Sequence, residues 1–284
     1  MSDLSLIKEL REKTGAGFLD CKNALSENAN DIDLSIDFLR KKGLAKASKK
    51  SSREANEGAV GFYNNENISV ILKINSETDF SAKSDTFLDF LDSIGKIALS
   101  TNNKNLNLND FLKVEDNGKS ISDMLNEMIA KIGENLIIND FKVFDIKEAS
   151  VNYYIHNPYR KNIGKIVSAI LYSCEEENDE VKIFSKNLCM HIAASKPEAM
   201  DIDKLPAEII QSEKKIQEEM IKDSGKPSNV MEKILDGKMK KFYSEVTLLN
   251  QNFVIDTDKT VKEAISDFNS SNNLILQNYF LISL

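Results

Sequence analysis

The sequence predicts an α+β protein with more than one domain. Its 284 residues amount to about two domains at roughly 150 residues each. Sparse punctuation, with 11 glycines and 4 prolines, favours long helices over a many-stranded sandwich. Runs with helical spacing of apolar residues alternate with β-rich runs, which predicts that both element types are present. The apolar share of 41% excludes a disordered chain.

Residues 3 to 43 are predicted to form three short helices. Leu4, Ile7 and Leu10 lie on one stripe of the first helix, which we expect to end near Gly15 and Gly17. The second helix is expected around residues 19–26, and the third is expected to begin after residues 30–31 and to end at residue 43, a glycine. A bundle of this size has a small core, so we interpret it as a binding module rather than a catalytic body.

A basic stretch follows from Lys41 to Arg53, with almost no bulky apolar residue after Leu44. Charge runs of this kind are usually solvated, so we interpret the stretch as a partly helical linker. The alternative is an arm that binds RNA or phosphate. The formal net charge of −8 argues against a protein that wraps nucleic acid, because phosphate binding needs a basic face. The charge fits a protein partner or a small ligand better.

From residue 58 the pattern becomes that of an α+β core. Two β-rich runs, Gly58 to Tyr63 and Ile68 to Ile74, flank the polar residues 64–67 and predict a hairpin. The elements expected next are a long helix at 87–98, a helix at 121–132 opened by a Ser120 cap, strands at 136–146, 151–155 and 163–172, and a helix at 181–192. The order strand, polar turn, strand, helix thus occurs twice, which we interpret as two related subdomains.

The last third of the chain is predicted to be a helical hairpin followed by a smaller module. Two amphipathic helices are expected within residues 206–246, separated by Gly225 and Pro227. Their apolar stripe suits coiled-coil association, either with a second copy of the chain or locally. A last helix near residues 260–268 and an apolar run from Leu274 to Leu284 close the chain.

Motifs of catalysis and metal binding are weak throughout. Residues 118–120, Gly-Lys-Ser, resemble the end of a phosphate loop, but the motif needs glycine where Lys113 stands, so a turn into a capped helix is favoured. Cys189 and His191 are two apart on one predicted helix and point apart, which disfavours a nucleophile pair. Residues 256–258, Asp-Thr-Asp, lack the glycine and glutamate of a calcium loop and are interpreted as a helix cap. We expect no catalytic residues, no metal and no cofactor.

The cysteines and the termini indicate the compartment. Cys21, Cys174 and Cys189 form no CxxC pair, which favours a reducing environment. The first residues lack the basic and apolar regions of a signal peptide, and no apolar run approaches the length of a membrane span. We therefore expect a cytoplasmic protein that does not enter membranes.

One stretch, residues 75–83 (Asn-Ser-Glu-Thr-Asp-Phe-Ser-Ala-Lys), lies between a predicted strand and a predicted helix. On local grounds, Thr78 or Asp79 would be an ordinary helix cap, and Phe80 would be a staple to the core.

Five motifs in order along the chain resemble the bacterial elongation factor Ts family. They are LIKELREKTGAGFLDCKNAL at 6–25, ETDFSAK at 77–83, KIGEN at 131–135, HIAASKP at 191–197, and SGKP with MKKF between 224 and 242. The resemblance implies a guanine nucleotide exchange factor for elongation factor Tu, the GTPase that delivers aminoacyl-tRNA to the ribosome. The implied partner is elongation factor Tu in its GDP-bound and nucleotide-free forms.

The resemblance also implies a division into five parts. They are a helical domain similar to ubiquitin-associated (UBA) domains plus linker at 1–54, two core subdomains at 55–148 and at 149–200 (the latter completed by 247–258), a protruding helical hairpin used in dimerisation at 201–246, and a C-terminal module at 259–284. The C-terminal sequence LILQNYFLISL departs from the polar, charged strand usual in the family, and we expect it to form a core strand.

The partner contacts implied by the resemblance fall in four groups. Thr78, Asp79, Phe80 and Ser81 occupy the motif linked to displacing Mg²⁺ from the GTPase, with Phe80 as the wedge. Ile132 and Gly133 match a second contact, and His156 matches a third, for which a surface or turn histidine is the alternative. In the N-terminal helices, Leu10, Phe18 and Leu19 would grip the nucleotide-binding domain. The rival functions are a UBA-like scaffold module and an RNA-associated translation factor that uses the basic stretch.

Overall fold

The computed structural model describes residues 4–222 and 227–284, which divide into two compact units. Unit 1 comprises Met1–Asp145, Asn157–Ile166 and Ile282–Leu284, and unit 2 comprises Ile146–His156 and Val167–Leu281.

Helices and antiparallel strands are both abundant, so the predicted α+β class is confirmed. The helices are α1 (Leu4–Thr14), α2 (Phe18–Glu27), α3 (Ile32–Lys50), α4 (Asp79–Ala82), α5 (Asp85–Ser100), α6 (Leu108–Phe111), α7 (Ile121–Ile132), α8 (Asp179–Ser195), α9 (Ala207–Lys222), α10 (Ser228–Val246) and α11 (Val261–Phe268). The strands are β1 (Glu57–Asn64), β2 (Ile68–Ser76), β3 (Glu115–Asp116), β4 (Lys119–Ser120), β5 (Leu136–Asp145), β6 (Ser150–Arg160), β7 (Ile163–Ser173), β8 (Asn252–Phe253), β9 (Asp256–Thr260) and β10 (Ile275–Ser283).

The N-terminal helices α1, α2 and α3 enclose a small core of their own, as predicted. Its fully buried members include Leu10, Cys21 and Leu25. The turn after α1 uses Gly15 at φ +65°, a left-handed conformation that glycine adopts without a steric penalty. The side chain of Asp31 caps α3 by accepting a hydrogen bond from the backbone N–H of Leu34 at 2.8 Å.

The prediction that the third helix ends at Gly43 is wrong. Helix α3 continues to Lys50, and only residues 51–56 connect it to β1. Gly43 is buried, and a Cβ placed there would lie 3.3 Å from the Cβ of Ala130 on α7. The glycine therefore permits a close approach of α3 and α7 rather than a helix break. Ala47, one turn further on, is buried in the main core of unit 1.

Unit 1 is built on an antiparallel sheet. The predicted hairpin is confirmed: β1 pairs with β2 from Glu57 opposite Ser76 to Asn64 opposite Ser69. On its other edge β2 pairs with β5, and β1 pairs with the first residues of β7. Helices α5 and α7 contact this sheet through the apolar faces that their spacing predicts. Residues 118–120 form a turn into α7, whose cap, Ser120, accepts from the N–H of Asp123.

Unit 2 buries a second core under α8. Ile170, Tyr172, Leu188 and Ile192 are fully buried members of this core. The predicted pair of helices is confirmed as α9 and α10, which pack against each other. Residues 223–226, including the predicted break at Gly225, lie outside the described residues.

Two expectations about the end of the chain have opposite outcomes. The interpretation of residues 256–258 as a helix cap is wrong, because they belong to strand β9. Helix α11 is capped instead by Thr260, which accepts from the N–H of Glu263 while the Glu263 carboxylate accepts from the N–H of Thr260. The expected terminal strand is confirmed as β10, which pairs with β7.

Candidate functional site

The most prominent exposed aromatic side chain lies on the short helix α4, immediately after strand β2. Phe80 is 85% exposed, so the interpretation of this residue as a staple to the core is wrong. Ala82, two positions on, is fully buried, and helix α4 contacts strands β1 and β2 of the sheet. Residues two apart in a helix face about 200° apart, so the burial of Ala82 leaves Phe80 facing solvent.

Helix α4 is anchored at both ends. The backbone of Thr78 is extended, and its hydroxyl accepts a hydrogen bond from the N–H of Ser81 at 3.2 Å, which makes Thr78 the N-cap, as one local reading of the sequence predicts. At the other end Ser84 donates its hydroxyl to the carbonyl of Ser81 and caps the following helix α5. Ser81 itself is buried, and its Oγ has no hydrogen-bond partner among residues 4–222 and 227–284.

Asp79 forms an ion pair with Lys83, one turn along the chain, with Nζ and Oδ2 2.7 Å apart. The hydrogen bond from Lys83 lowers the pKa of Asp79, and the same bond raises the pKa of Lys83. Both side chains are solvated, so the pair contributes little to stability. Asp79 is therefore ionised beside Phe80 at neutral pH, with Lys83 as its counter-ion.

The structure brings the second predicted contact to the first. Glu134, from the turn after α7, accepts two hydrogen bonds from Thr78: one from its N–H at 3.0 Å and one from its Oγ1–H at 2.7 Å. The next residue, Asn135, donates its N–H to the carboxylate of Glu77 at 2.6 Å, and its side-chain amide donates to the carbonyl of Arg53 at 2.7 Å. Residues 77–83 and 132–135 therefore form one connected surface, which we call the Phe80 platform.

Ile132 and Gly133 form the edge of this platform. Ile132 is half-buried against the core of unit 1. Gly133 is exposed at φ +89° and ends α7 through a hydrogen bond from its N–H to the carbonyl of Ile129. The residues that sequence reasoning missed are Glu77, Glu134 and Asn135. They lie within the motifs ETDFSAK and KIGEN, but their pairing across 56 to 58 positions follows only from the fold.

The N-terminal contacts are only partly supported. Phe18 is 47% exposed and Leu19 is 67% exposed at the start of α2, so both can contact a partner. Leu10 has no exposed surface and packs inside the core of the three helices. A direct contact by Leu10 therefore does not fit the fold, and the residue holds the helices together instead.

His156 belongs to unit 2, where it lies exposed on β6. Its Nδ1 is 3.2 Å from the hydroxyl of Tyr154. The next residue, Asn157, has φ +49°, so the strand is locally irregular at this position.

The two helix residues Cys189 and His191 are packed and point apart, as predicted. Cys189 donates to the carbonyl of Asn152 at 3.3 Å, and burial raises the pKa of its thiol. The Nε2–H of His191 donates to Gln251 at 3.0 Å, while Nδ1 accepts from the N–H of Val254.

Two findings concern residues 4–222 and 227–284 as a whole. Among these residues, no group of three or more His, Cys, Asp or Glu side chains is arranged to hold a metal ion. None of the helices within them combines the length and the apolar character needed to cross a bilayer.

An exposed aromatic residue on a braced helix, beside a charged side chain and a glycine turn, is typical of a surface that contacts another protein. The comparisons with known proteins identify the family of the chain. The family profile described as Elongation factor TS matches residues 77–280. An elongation factor Ts of Allorhizobium ampelinum is 38% identical over 263 residues, covering 93% of this chain and 85% of that protein. One of Rhizobium leguminosarum is 39% identical over 269 residues, covering 94% and 87%. One of Ehrlichia ruminantium is 38% identical over 286 residues, covering 99% of each.

The chain belongs to the elongation factor Ts family. It therefore functions in translation elongation as a nucleotide exchange factor for elongation factor Tu.

Proposed function

We propose that the chain releases GDP from elongation factor Tu by inserting Phe80 as a wedge beside the nucleotide site of the GTPase. The observation that carries the proposal is the exposure of 85% of Phe80 on a helix whose first residue is held by Glu134. Transfer of a solvated aromatic ring into an apolar pocket is favourable. Because the ring is held on a braced helix, little of this favourable free energy is lost in ordering the factor itself.

The wedge acts on the Mg²⁺ and phosphate contacts, which supply much of the affinity of a GTPase for its nucleotide. Asp79, negatively charged beside Phe80, helps to rearrange the part of the GTPase that holds the Mg²⁺. Thr78 and Ser81 set the position of the helix. No covalent bond is made or broken, so the protein is an exchange factor and not a chemical catalyst. Linkage makes the effect reciprocal. Bound nucleotide lowers the affinity of the GTPase for the exchange factor by the same ratio by which the bound exchange factor lowers its affinity for nucleotide.

Further contacts extend the interface. Ile132 and Gly133 border the platform, His156 supplies a contact from unit 2, and Phe18 and Leu19 anchor the N-terminal helices. A few well-buried anchor residues carry most of the binding free energy of a typical interface. We propose that residues 1–54 act as a UBA-like module in this contact. The division into two core subdomains at 55–148 and 149–200 with 247–258, a hairpin at 201–246 and a terminal module at 259–284 also remains our proposal.

The hairpin is the proposed site of homodimerisation. Ile216 and Met220 on α9 are exposed although apolar, which suits pairing with a second copy. Light scattering distinguishes this dimer from a monomer with local packing. We further propose that the protein acts in the cytoplasm, without cofactor and without direct contact to nucleic acid or membrane.

The test is stopped-flow release of a fluorescent GDP from elongation factor Tu of the same source, with and without catalytic amounts of the chain. The expected result is acceleration by several orders of magnitude. No acceleration with an active partner would refute exchange activity and favour a scaffold module. The RNA-associated alternative predicts RNA binding with a steep salt dependence that is lost when Lys49 and Lys50 are neutralised.

A further inference from the structure

The contact between Thr78 and Glu134 is the only one in the Phe80 platform in which one carboxylate holds both polar groups of a helix cap. Oε2 of Glu134 accepts from the N–H of Thr78, and Oε1 accepts from its hydroxyl. The same hydroxyl oxygen accepts from the N–H of Ser81. A hydroxyl has one proton to donate and two lone pairs, so donation to Glu134 directs a lone pair towards Ser81.

The charge of Glu134 strengthens this arrangement. Hydrogen bonds to an ionised carboxylate are about twice as strong as bonds between neutral groups. Helix α4 has only four residues, far below the length at which a helix is stable by itself. Its geometry therefore depends on its cap and on the burial of Ala82, and the cap in turn depends on Glu134.

A second brace runs in parallel. Glu77, the residue before Thr78, accepts from the N–H of Asn135 and lies 3.4 Å from Nη1 of Arg53. The side-chain amide of Asn135 donates to the carbonyl of Arg53, in the connection between α3 and β1. This brace fixes the chain at Glu77 and leaves Glu134 as the group that orients α4 itself.

We infer that Glu134 is a positioning residue for exchange, which holds α4 so that Phe80 and the Ile132–Gly133 turn are presented as one rigid surface. This inference rests on the proposed function, because it assigns Glu134 a role only through Phe80. Its effect appears in the step in which the bound factor expels the nucleotide, and less in the encounter between the two proteins.

The experiment measures GDP release from elongation factor Tu over a range of concentrations of the full-length chain and its Glu134→Ala variant. The release rate at saturating factor falls about tenfold, the scale of a small misplacement in a preorganised site, while the half-saturating concentration changes less than about threefold. Glu134→Gln is isosteric and retains one acceptor oxygen, so it loses only part of the rate. Glu127→Ala is the matched control, since it removes an α7 carboxylate paired with Lys119, and it leaves the rate unchanged.

Two further readouts separate positioning from other roles. In a Phe80→Ala background, Glu134→Ala lowers the rate by less than about a further twofold, because the two residues act as a unit. Hydrogen exchange of the segment 77–83 becomes faster in Glu134→Ala without the partner present, while exchange in β1 and β2 does not change.

The outcomes distinguish this inference from the proposed function. An unchanged rate in Glu134→Ala, or a full tenfold additional loss in the Phe80→Ala background, overturns the positioning role even when the wild-type chain is active. If Glu134→Ala unfolds, Glu134→Gln decides: a wild-type rate for this variant overturns the role. Absence of exchange by the wild-type chain, or no effect of Phe80→Ala, refutes the proposed function instead.

Discussion

Replacing Phe80 by alanine removes the proposed wedge and leaves the rest of the fold in place. Aromatic side chains bury about 150–250 Å². Because 85% of Phe80 is exposed, about 170 Å² is available for burial by the partner, worth about 4 kcal/mol at about 25 cal/mol per Å². Alanine would retain about a quarter of that area, so the variant loses about 3 kcal/mol. At about 1.36 kcal/mol per factor of ten, GDP release slows roughly 100-fold.

The fold itself is expected to tolerate the change. Phe80 makes its contacts with solvent, and exposed substitutions away from special features usually alter stability by less than about 0.5 kcal/mol. The assay is stopped-flow GDP release at catalytic factor concentration, together with thermal unfolding of the free variant. Ile183→Ala is the control, since Ile183 is also an exposed apolar residue (63%) but lies outside the matched motifs, on α8.

Two results would refute the reasoning about Phe80. If the variant releases GDP within about threefold of the wild-type rate, burial of this ring is not the source of exchange. If the variant instead loses several kcal/mol of unfolding free energy, the slow exchange reflects damage to the fold. A loss as large in Ile183→Ala would show that exposed apolar residues contribute without regard to position.

The remaining predictions concern stability. Gly95→Ala lowers the free energy of unfolding by about 1–3 kcal/mol or more, because its Cβ would lie 2.2 Å from the Tyr63 ring. Gly237→Ala, in α10, raises the free energy of unfolding by up to about 1 kcal/mol, because among the described residues an added Cβ would meet no atom within 4 Å beyond its chain neighbours and its own helix backbone. Denaturant melts of both variants check the opposite signs. Burial lowers the pKa of His191 below its ordinary value of 6.5, although the hydrogen bond to Gln251 opposes this shift. The unfolded chain therefore binds the proton first, and the free energy of unfolding falls as the pH drops below about 6.5. His191→Gln removes this part of the dependence of stability on pH in melts between about pH 5.5 and 7, and an unchanged dependence contradicts the assignment.

Local sequence patterns predict most of the helices and strands, because the signals that form these elements lie within the elements themselves. The β1–β2 hairpin followed from two β-rich runs around a polar turn, and α7 followed from its apolar spacing and the Ser120 cap. The predictions failed where one residue type is compatible with two different local structures. Gly43 reads as a helix end, but in the structure it sits inside α3, where Ala130 of α7 requires a small residue.

The candidate site shows the same boundary. The motif with Thr78 and Phe80 stood out through family resemblance, while local rules alone assigned Phe80 to the core. Its exposure follows from Ala82 occupying the buried side of α4, a choice that the sequence of four helical residues does not reveal. Glu134 was also hidden, because a bond between residues 56 apart in the chain depends on β2 and β5 being neighbours in the sheet.

The arrangement of the platform explains how a contact can do work on a partner. A loop that becomes ordered on binding spends interaction energy on its own conformational entropy. In this chain α4 is already ordered during folding, and the burial of Ala82 and the two hydrogen bonds from Thr78 to Glu134 offset its loss of conformational entropy. In the proposed mechanism, the free energy released when Phe80 leaves water is then available to change the partner, and only such differential binding can shift the nucleotide equilibrium of the GTPase. A rigid platform in the factor is therefore required if binding is to distort the partner.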